Sequence, residues 1–534
     1  MASMYISLAC TAALLLSGVN GSDPGKQGAW SFTSEPSMRE CYTIAADLGP
    51  RLSADATLVL PGNSSFHALE IRASSPRIEP TFTAIVEVAT EDDVQQTVCR
   101  RLPYSQRRLG ADEVYLQIEY ANRCDIPFLA VGGGHGWQST INNANGGIQI
   151  NMRKMQQIEL TNSGTTVQIG GGVLQRTLTQ TLYGLGKQAV TGLCECTSII
   201  GPLMGGGHSI LQGFHGFVAD NLMSARVVLA NAQAVTASAT ENPDLFWALR
   251  GAGHNFGIVT SFEVKAYDLP QINWTIVTVI YTQEKLEAFV DALNDVNNNG
   301  DHAPELVLAG AMTRIPTIDP LYPVVAYQIS YLGSASEAEP YIARFRQAGP
   351  ISVTIAENVA YKDYYIATNN GYNQTTCQKD ENISGYAISL THYNKTAMRT
   401  TFNLFSNLTA DSRYITSVWL LESYGSRGVV AQNYSATAVP PAERNLPVLT
   451  VPITWWSGNG TEAREKAESY GKQMRAALAA GDNETASSAH VYLNYAMGDE
   501  SLEQVYGAEP LPKLQALKKR YDPNNKFGFY MPLK

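Results

Sequence analysis

Three consecutive glycines deliver one histidine into a turn at residues 131–141, VGGGHGWQSTI, directly after the apolar run IPFLA at 126–130. Glycine tolerates positive φ and lets backbone come close to another group. A strand that ends in such a turn presents its next side chain, here His135, to whatever lies beyond the strand end. A glycine-rich turn is common by itself, so the meaning of this one depends on what the rest of the chain supplies.

At 534 residues the chain is too long for one ordinary core and predicts two or three domains. Its formal net charge of -10 argues against a nucleic-acid partner, whose phosphates demand a basic face. No basic amphipathic stretch points to a membrane surface. Residues 5–17 form a short apolar run, and the small residues Ser17, Gly18 and Gly21 follow. This reads as a secretory signal over residues 1–21, although residues 1–4 carry no lysine or arginine. No later stretch approaches the ~20 apolar residues of a transmembrane helix. N-x-S/T sequons at Asn20, Asn63, Asn273, Asn373, Asn382, Asn394, Asn407, Asn433, Asn459 and Asn483 crowd the second half. They predict a secreted chain with N-glycans on exposed loops of that half.

Cys10 leaves with the signal, and Cys41, Cys99, Cys124, Cys194, Cys196 and Cys377 remain. One or two bridges are expected, with Cys41–Cys124 the favoured pair. Cys194 and Cys196 flank a single glutamate, so a bridge between them would be strained and at least one of them has another role.

After a turn-rich N-terminal segment (residues 22–77, with a helical piece at 41–48), TAIVEV at 83–88 alternates as a strand and ATEDDVQQTV opens a helix with an acidic first turn. Residues 126–131 then close a βαβ unit. Between them, CRRLPYSQRRLGADEVYLQI at 99–118 breaks an otherwise smooth helix. It is either a surface insertion or translated intron sequence. Strands at 147–151 and 166–169 flank a turn at 162–164. A helix follows the turn that begins at Gly170, 225–230 is a buried strand, 241–250 a helix and 258–264 a strand. Composition shifts near 268–270, which ends a first domain over 78–268. Beyond it, strands at 273–281, 324–331, 415–421 and 449–453 alternate with helices at 284–296, 336–348, 397–408 and 462–479. This predicts an α+β substrate domain over 269–489, a largely antiparallel sheet covered by helices, before a last piece at 490–534.

Five motifs occur in order: VGGGH at 131–135, a GxC…GGG segment at 192–207, DNLMSARVVLANAQ at 220–233, DLFWALRGAGHNFGIVTSFE at 244–263, and YLNY with YDPNNKF between 492 and 527. With them the chain resembles fungal members of the berberine-bridge-enzyme-like oxidases, within the class that shares the vanillyl-alcohol-oxidase and p-cresol-methylhydroxylase flavin-binding fold. The resemblance covers nearly everything past residue 78 and thins between 268 and 489. It implies a two-part FAD-binding domain to which the C-terminal segment returns.

The resemblance further implies that His135 is joined to the flavin 8α methyl group. Cys194 aligns with the family's second attachment, a cysteine on carbon 6 of the ring, with Cys196 as its competitor; such a bond needs thiolate character. The sequence departs from the plant pattern CPTVGxGGH by reading CECTSIIGP, with Pro202 where many plant members carry a histidine near the flavin N1–O2 edge. Gly132, Gly133, Gly134 and Gly136, Gly205, Gly206 and Gly207, and Gly257, Ile258 and Val259 are read as backbone approaches to the cofactor. RGAGHNFG is no Rossmann fingerprint, because it leads into a strand. His208, His215 and His254 read as loop histidines bonded to backbone. No metal site is expected. Tyr495, beside Asn494, aligns with the tyrosine that faces the flavin and is the expected base, if its surroundings lower the phenol from a pKa near 10; Glu422 is the alternative.

The implied reaction is proton removal by Tyr495 with hydride transfer from carbon to flavin N5, followed by reduction of O2 to hydrogen peroxide. Expected substrates are an alcohol of a secondary metabolite or, alternatively, a carbohydrate, with oxidative ring closure a further option; a monomer is expected. A reading of another class is a flavin-binding protein whose redox activity is lost or serves only a cyclase-like pocket.

Overall fold

A computed structural model describes residues 44–74, 77–98, 126–458 and 460–534. The signal segment, Cys41, Cys99, Cys124, the block at 99–118 and the Asn20 and Asn459 sequons lie outside the described residues. Two larger sheets and a two-stranded pairing of Lys187–Gln188 with Tyr267–Asp268 come first, and one large sheet follows residue 268, an α+β architecture. The first sheet orders its strands Thr57–Val59, Phe82–Glu87, Gly147–Asn151, Phe128–Val131. Phe82–Glu87 and Phe128–Val131 both run parallel to Gly147–Asn151, which lies between them. The helix Glu91–Val98 opens on reciprocal contacts. Asp93 accepts from the Ala89 and Thr90 backbone N–H groups, while its own N–H donates to Thr90 Oγ1. Three carboxylates in its first turn complement the positive end of the helix dipole.

The second sheet is antiparallel and orders Ile158–Thr161, Thr166–Gly170, Ile258–Lys265, Leu222–Val228, Ala234–Ser238. The turn at 162–164 therefore joins Thr166–Gly170 to Ile158–Thr161, a half-exposed strand absent from the sequence reading, and not to Gly147–Asn151. Ser163 holds φ 58 there, which pins this tight connection.

The large sheet is antiparallel throughout. It runs Ser352–Val359, Trp274–Tyr281, Val324–Leu332, Leu306–Thr313, Val418–Tyr424, Val448–Trp456, Asn382–Gly385, with Ile388–Leu390 also paired to Val448–Trp456. Helices Leu286–Asn297, Ala335–Gln347, Lys395–Thr409 and Thr461–Gly481 form one hydrophobic core with one face of it. The two-residue period of a strand decides what faces where. Trp419 and Leu421 join the helix-side core, whereas Val418 and Leu420 pack toward the first domain. Glu422 continues that second set. The strand read at 415–421 is shifted to Val418–Tyr424, because residues 412–414 form a tight turn before it.

The C-terminal segment is locked to the first domain. Phe527 meets Phe128 edge to face with centroids 5.6 Å apart. The buried Lys518 ammonium donates to the Asn255 and Phe527 carbonyls and to Asp522, so its charge is fully partnered.

Candidate active site

A cavity of about 410 Å³ opens where the large sheet and the C-terminal segment close over the end of the Phe128–Val131 strand. Gly134 takes φ +74 to turn the chain. Gly133 is required for space: a Cβ there would lie 2.8 Å from the Cys196 carbonyl oxygen and 3.0 Å from the Ser198 nitrogen. The turn thus rests on the 194–198 loop, backbone against backbone, and His135 faces the cavity.

The His135 Nε2 atom is sealed from solvent and has no hydrogen-bond partner. Burial, with the nearby Lys379 and Arg72 charges, lowers its pKa to about 4. A neutral imidazole with a buried, unengaged ring nitrogen fits a covalent attachment of FAD, since bonding consumes the atom that is otherwise costly to bury.

Cys196 is bridged to Cys377, with Cα atoms 5.8 Å apart, which removes it as the competitor of Cys194. The bridge draws in the loop whose Thr376 and Gln378 line the cavity. Cys194 is the free thiol among the described residues, with Sγ 3.8 Å from Asn370 Oδ1. Burial and the Glu422 carboxylate push it up to about 12, so it stands as a thiol and not the thiolate its expected role needs.

Tyr495 Oη donates to Glu422 Oε1 at 3.4 Å. The sequence reading asks the site to lower this phenol, but its surroundings do the opposite. Burial first, then Glu422 and Cys194, raise it well above its ordinary value. Glu422 is the group brought toward neutrality: burial lifts it to about 7, against the opposing charge of His208 and the neighbouring Tyr424 and Tyr495 hydroxyls. Its Oε2 is buried without a partner. Asn494 lines the cavity and donates to the Pro202 carbonyl at 2.9 Å and to Tyr492 Oη at 2.6 Å. Trp137 completes this wall, its indole N–H donating to the Tyr495 carbonyl at 3.2 Å.

Gly132, Gly133, Gly134, Gly136, Gly257, Ile258 and Val259 all line the cavity. Gly205, Gly206 and Gly207 are not among its lining residues. They are packing glycines: a side chain at Gly205 would run into Asn494 and one at Gly207 into Val218, while Gly206 and Gly207 hold φ +106 and +86. The Gly207 and His208 N–H groups both donate to Tyr492 Oη, fastening the turn to the C-terminal segment.

Of the three loop histidines, His254 stacks on Tyr530 and bonds to the Gly201 backbone, and burial lowers it to about 4. His215 instead stacks on Tyr267 with centroids 3.6 Å apart. His208 contacts side chains, not backbone: Nε2 meets Glu443 Oε1 at 2.7 Å and Nδ1 meets Gln212 Oε1 at 2.9 Å. Glu443, its second partner His490, Lys379 and Arg72 carry no motif and escaped the sequence reading. The alternation in VWLLES could have placed Val418 and Leu420 beside Glu422.

Residues 110–238 match the "FAD binding domain" family and 491–532 the "Berberine and berberine like" family. The FAD-linked oxidoreductase chyH of Penicillium rubens is 34% identical, covering 95% of this chain and 98% of its own length. The FAD-linked oxidoreductase chry5 of Gibberella zeae is 34% identical, over 91% and 94%. Among solved structures, a glucooligosaccharide oxidase from Acremonium strictum, described as carrying 6-S-cysteinyl, 8α-N1-histidyl FAD, superposes with a TM-score of 0.72 at 20% identity, covering 92% of this chain and 99% of that one. That likeness shows the fold.

Proposed function

The chain belongs to the FAD-linked oxidoreductases of the berberine-bridge-enzyme-like family, and from that premise we propose that it is an oxidase whose FAD is held covalently by His135, with Cys194 as the thiol available for a second bond once bound flavin favours its thiolate. The observation that carries the reading is the convergence of the partnerless His135 Nε2, the free Cys194 and Tyr495 on one cavity, with Glu422 behind Tyr495 as the acceptor of its hydroxyl. FAD, when bound, supplies the two-electron acceptor and hands the electrons to O2.

The protein's own part is to orient and to move a proton. A substrate hydroxyl over Tyr495 gives its proton to the phenol oxygen as Tyr495 passes its own to Glu422 Oε1. No free phenolate is needed, which suits a phenol whose surroundings disfavour ionisation. Val418, Leu420, Ile383, Ile453 and Trp455 of the large sheet give this cavity an apolar wall. That wall supports a largely apolar alcohol, such as a secondary metabolite, over an oligosaccharide, whose many hydroxyls need polar partners. Secretion and N-glycosylation belong to the same reading, and Asn63, Asn273, Asn373, Asn407, Asn433 and Asn483 are exposed.

Acid precipitation of the purified protein tests it: a yellow pellet is expected, with peroxide formed on apolar alcohols. A colourless pellet overturns the covalent bond. Peroxide from oligosaccharides alone replaces the substrate class, and none on any substrate favours a protein whose redox activity is lost.

A further inference from the structure

Glu443 has no part in the reaction described above, yet it centres a buried chain of hydrogen bonds. Its Oε1 meets His208 Nε2 at 2.7 Å and its Oε2 meets His490 Nε2 at 2.6 Å. The His490 Nδ1–H donates to the Gln504 carbonyl at 2.7 Å. All three side chains are buried.

The protonation of His208 follows from this geometry. The Ser209 backbone N–H donates to Gln212 Oε1 at 3.2 Å, which fixes the amide with its oxygen toward His208 Nδ1. Both ring nitrogens of His208 therefore face acceptors, and the imidazolium is the form with two N–H donors to offer. Burial works against that charge, but the Glu443 carboxylate, itself held down to about 2 by its two histidines, outweighs it.

His208 also lines the active cavity. Its ring stacks on Tyr424 at 5.2 Å and sets its edge against Tyr492 at 4.7 Å. Glu422 stands two residues before Tyr424 on the same strand. The titratable groups that act on Glu422 are Tyr424 from its own strand, Tyr495 from the C-terminal segment, Cys194 from the 194–198 loop, Tyr327 and Tyr393 from the large domain, and His208. Of these, His208 alone is cationic.

Resting on the reading of Tyr495 and Glu422 as the proton-accepting pair, we propose that Glu443 is a positioning residue that keeps His208 an imidazolium, and that this fixed cation holds Glu422 as the carboxylate that receives the Tyr495 proton.

Glu443→Gln keeps the shape but lets His208 become neutral. Glu422 loses its near cation and only a more distant anion, so it binds its proton more tightly. Because Glu422 accepts a proton only when ionised, activity is lost on the acid side. The acid limb of kcat/KM should move up by about one pH unit, with about tenfold less activity at pH 6 and little change at pH 9. Infrared titration reads Glu422 directly, its protonated carboxyl band being assigned by its disappearance in Glu422→Gln. The midpoint should rise by the same unit in Glu443→Gln. His208→Gln, which removes the cation itself, should raise it too and serves if Glu443→Gln does not fold. An unmoved infrared midpoint in a folded variant overturns the proposal. A moved midpoint without a matching limb in kcat/KM leaves the charge coupling standing and removes Tyr495–Glu422 as the base.

Discussion

The chain contains the same four residues twice, Gly-Gly-Gly-His at 132–135 and again at 205–208, and the structure uses them in opposite ways. At the first, the glycines line the cavity and His135 ends with Nε2 buried and unbonded, its pKa lowered to about 4. At the second, the glycines pack against Asn494, Val439 and Val218, and both nitrogens of His208 are bonded, its pKa raised by Glu443. Local sequence is identical, so the difference lies in what the rest of the fold brings. Cations, Arg72 and Lys379, approach His135; a carboxylate and an amide oxygen approach His208. A histidine surrounded by cations stays a neutral nucleophile, and one between two acceptors becomes a fixed charge.

The contrast is broken most directly by removing each histidine in turn. His135→Ala should strip the acid-precipitated pellet of most of its yellow colour, leaving only what a Cys194 bond holds, while His208→Gln should retain it in full. Loss of bound colour in both variants would merge the two turns into one cofactor site and end the distinction. Tyr495→Phe acts between the two turns and should lower kcat by about 10²–10⁴-fold, the range for a lost proton acceptor, while leaving the pellet yellow. A rate within twofold of the parent shifts the base to Glu422 alone.

How far the sequence revealed this arrangement depends on whether the cause was local. The first turn was legible because glycine beside an apolar strand is a local signal, and so were the long amphipathic helices of the second domain. The disulfide was not: Cys196 and Cys377 are separated by 181 positions, and nothing near Cys377 marks its partner. At Gly205–Gly207 composition alone does not separate close packing from cofactor approach, since glycine serves both equally well. Glu443 and His490 had no motif, since their role depends on three segments meeting in the fold. The NY element marks Tyr495 in the sequence, but the direction of its pKa is not legible there, because that depends on Glu422 arriving from a strand 73 residues earlier.

The bridge offers a smaller test of the same contrast, because it tethers the loop on which the first turn rests, whereas the His208 side chain is bonded to Gln212 and Glu443. Cys377→Ser should destabilise the protein by ~2–5 kcal/mol, read as a lower Tm. It should also slow the appearance of bound colour during expression, yet leave the Glu422 infrared midpoint where it was. A midpoint that moved with the bridge would make the second turn dependent on the first.

The smallest expected effect separates the two reasons for using glycine. Gly133 lacks the positive φ of its neighbour but has backbone atoms of residues 196–198 within 3.1 Å of where a Cβ would sit. Gly206 has its nearest such neighbour, a Val439 methyl, at 3.5 Å, an ordinary contact, but holds φ +106. The first is therefore glycine for space and the second for conformation. Gly133→Ala has to push backbone away from backbone, and should reduce covalent flavin content as well as stability. Gly206→Ala meets no collision and carries only the left-handed penalty of about 1–2 kcal/mol, so its Tm should fall by a few degrees with flavin content unchanged. Equal loss of flavin in the two variants would show that the Gly206 conformation, and not merely its packing, is felt at His135, and the two turns would have to be treated as one mechanical unit.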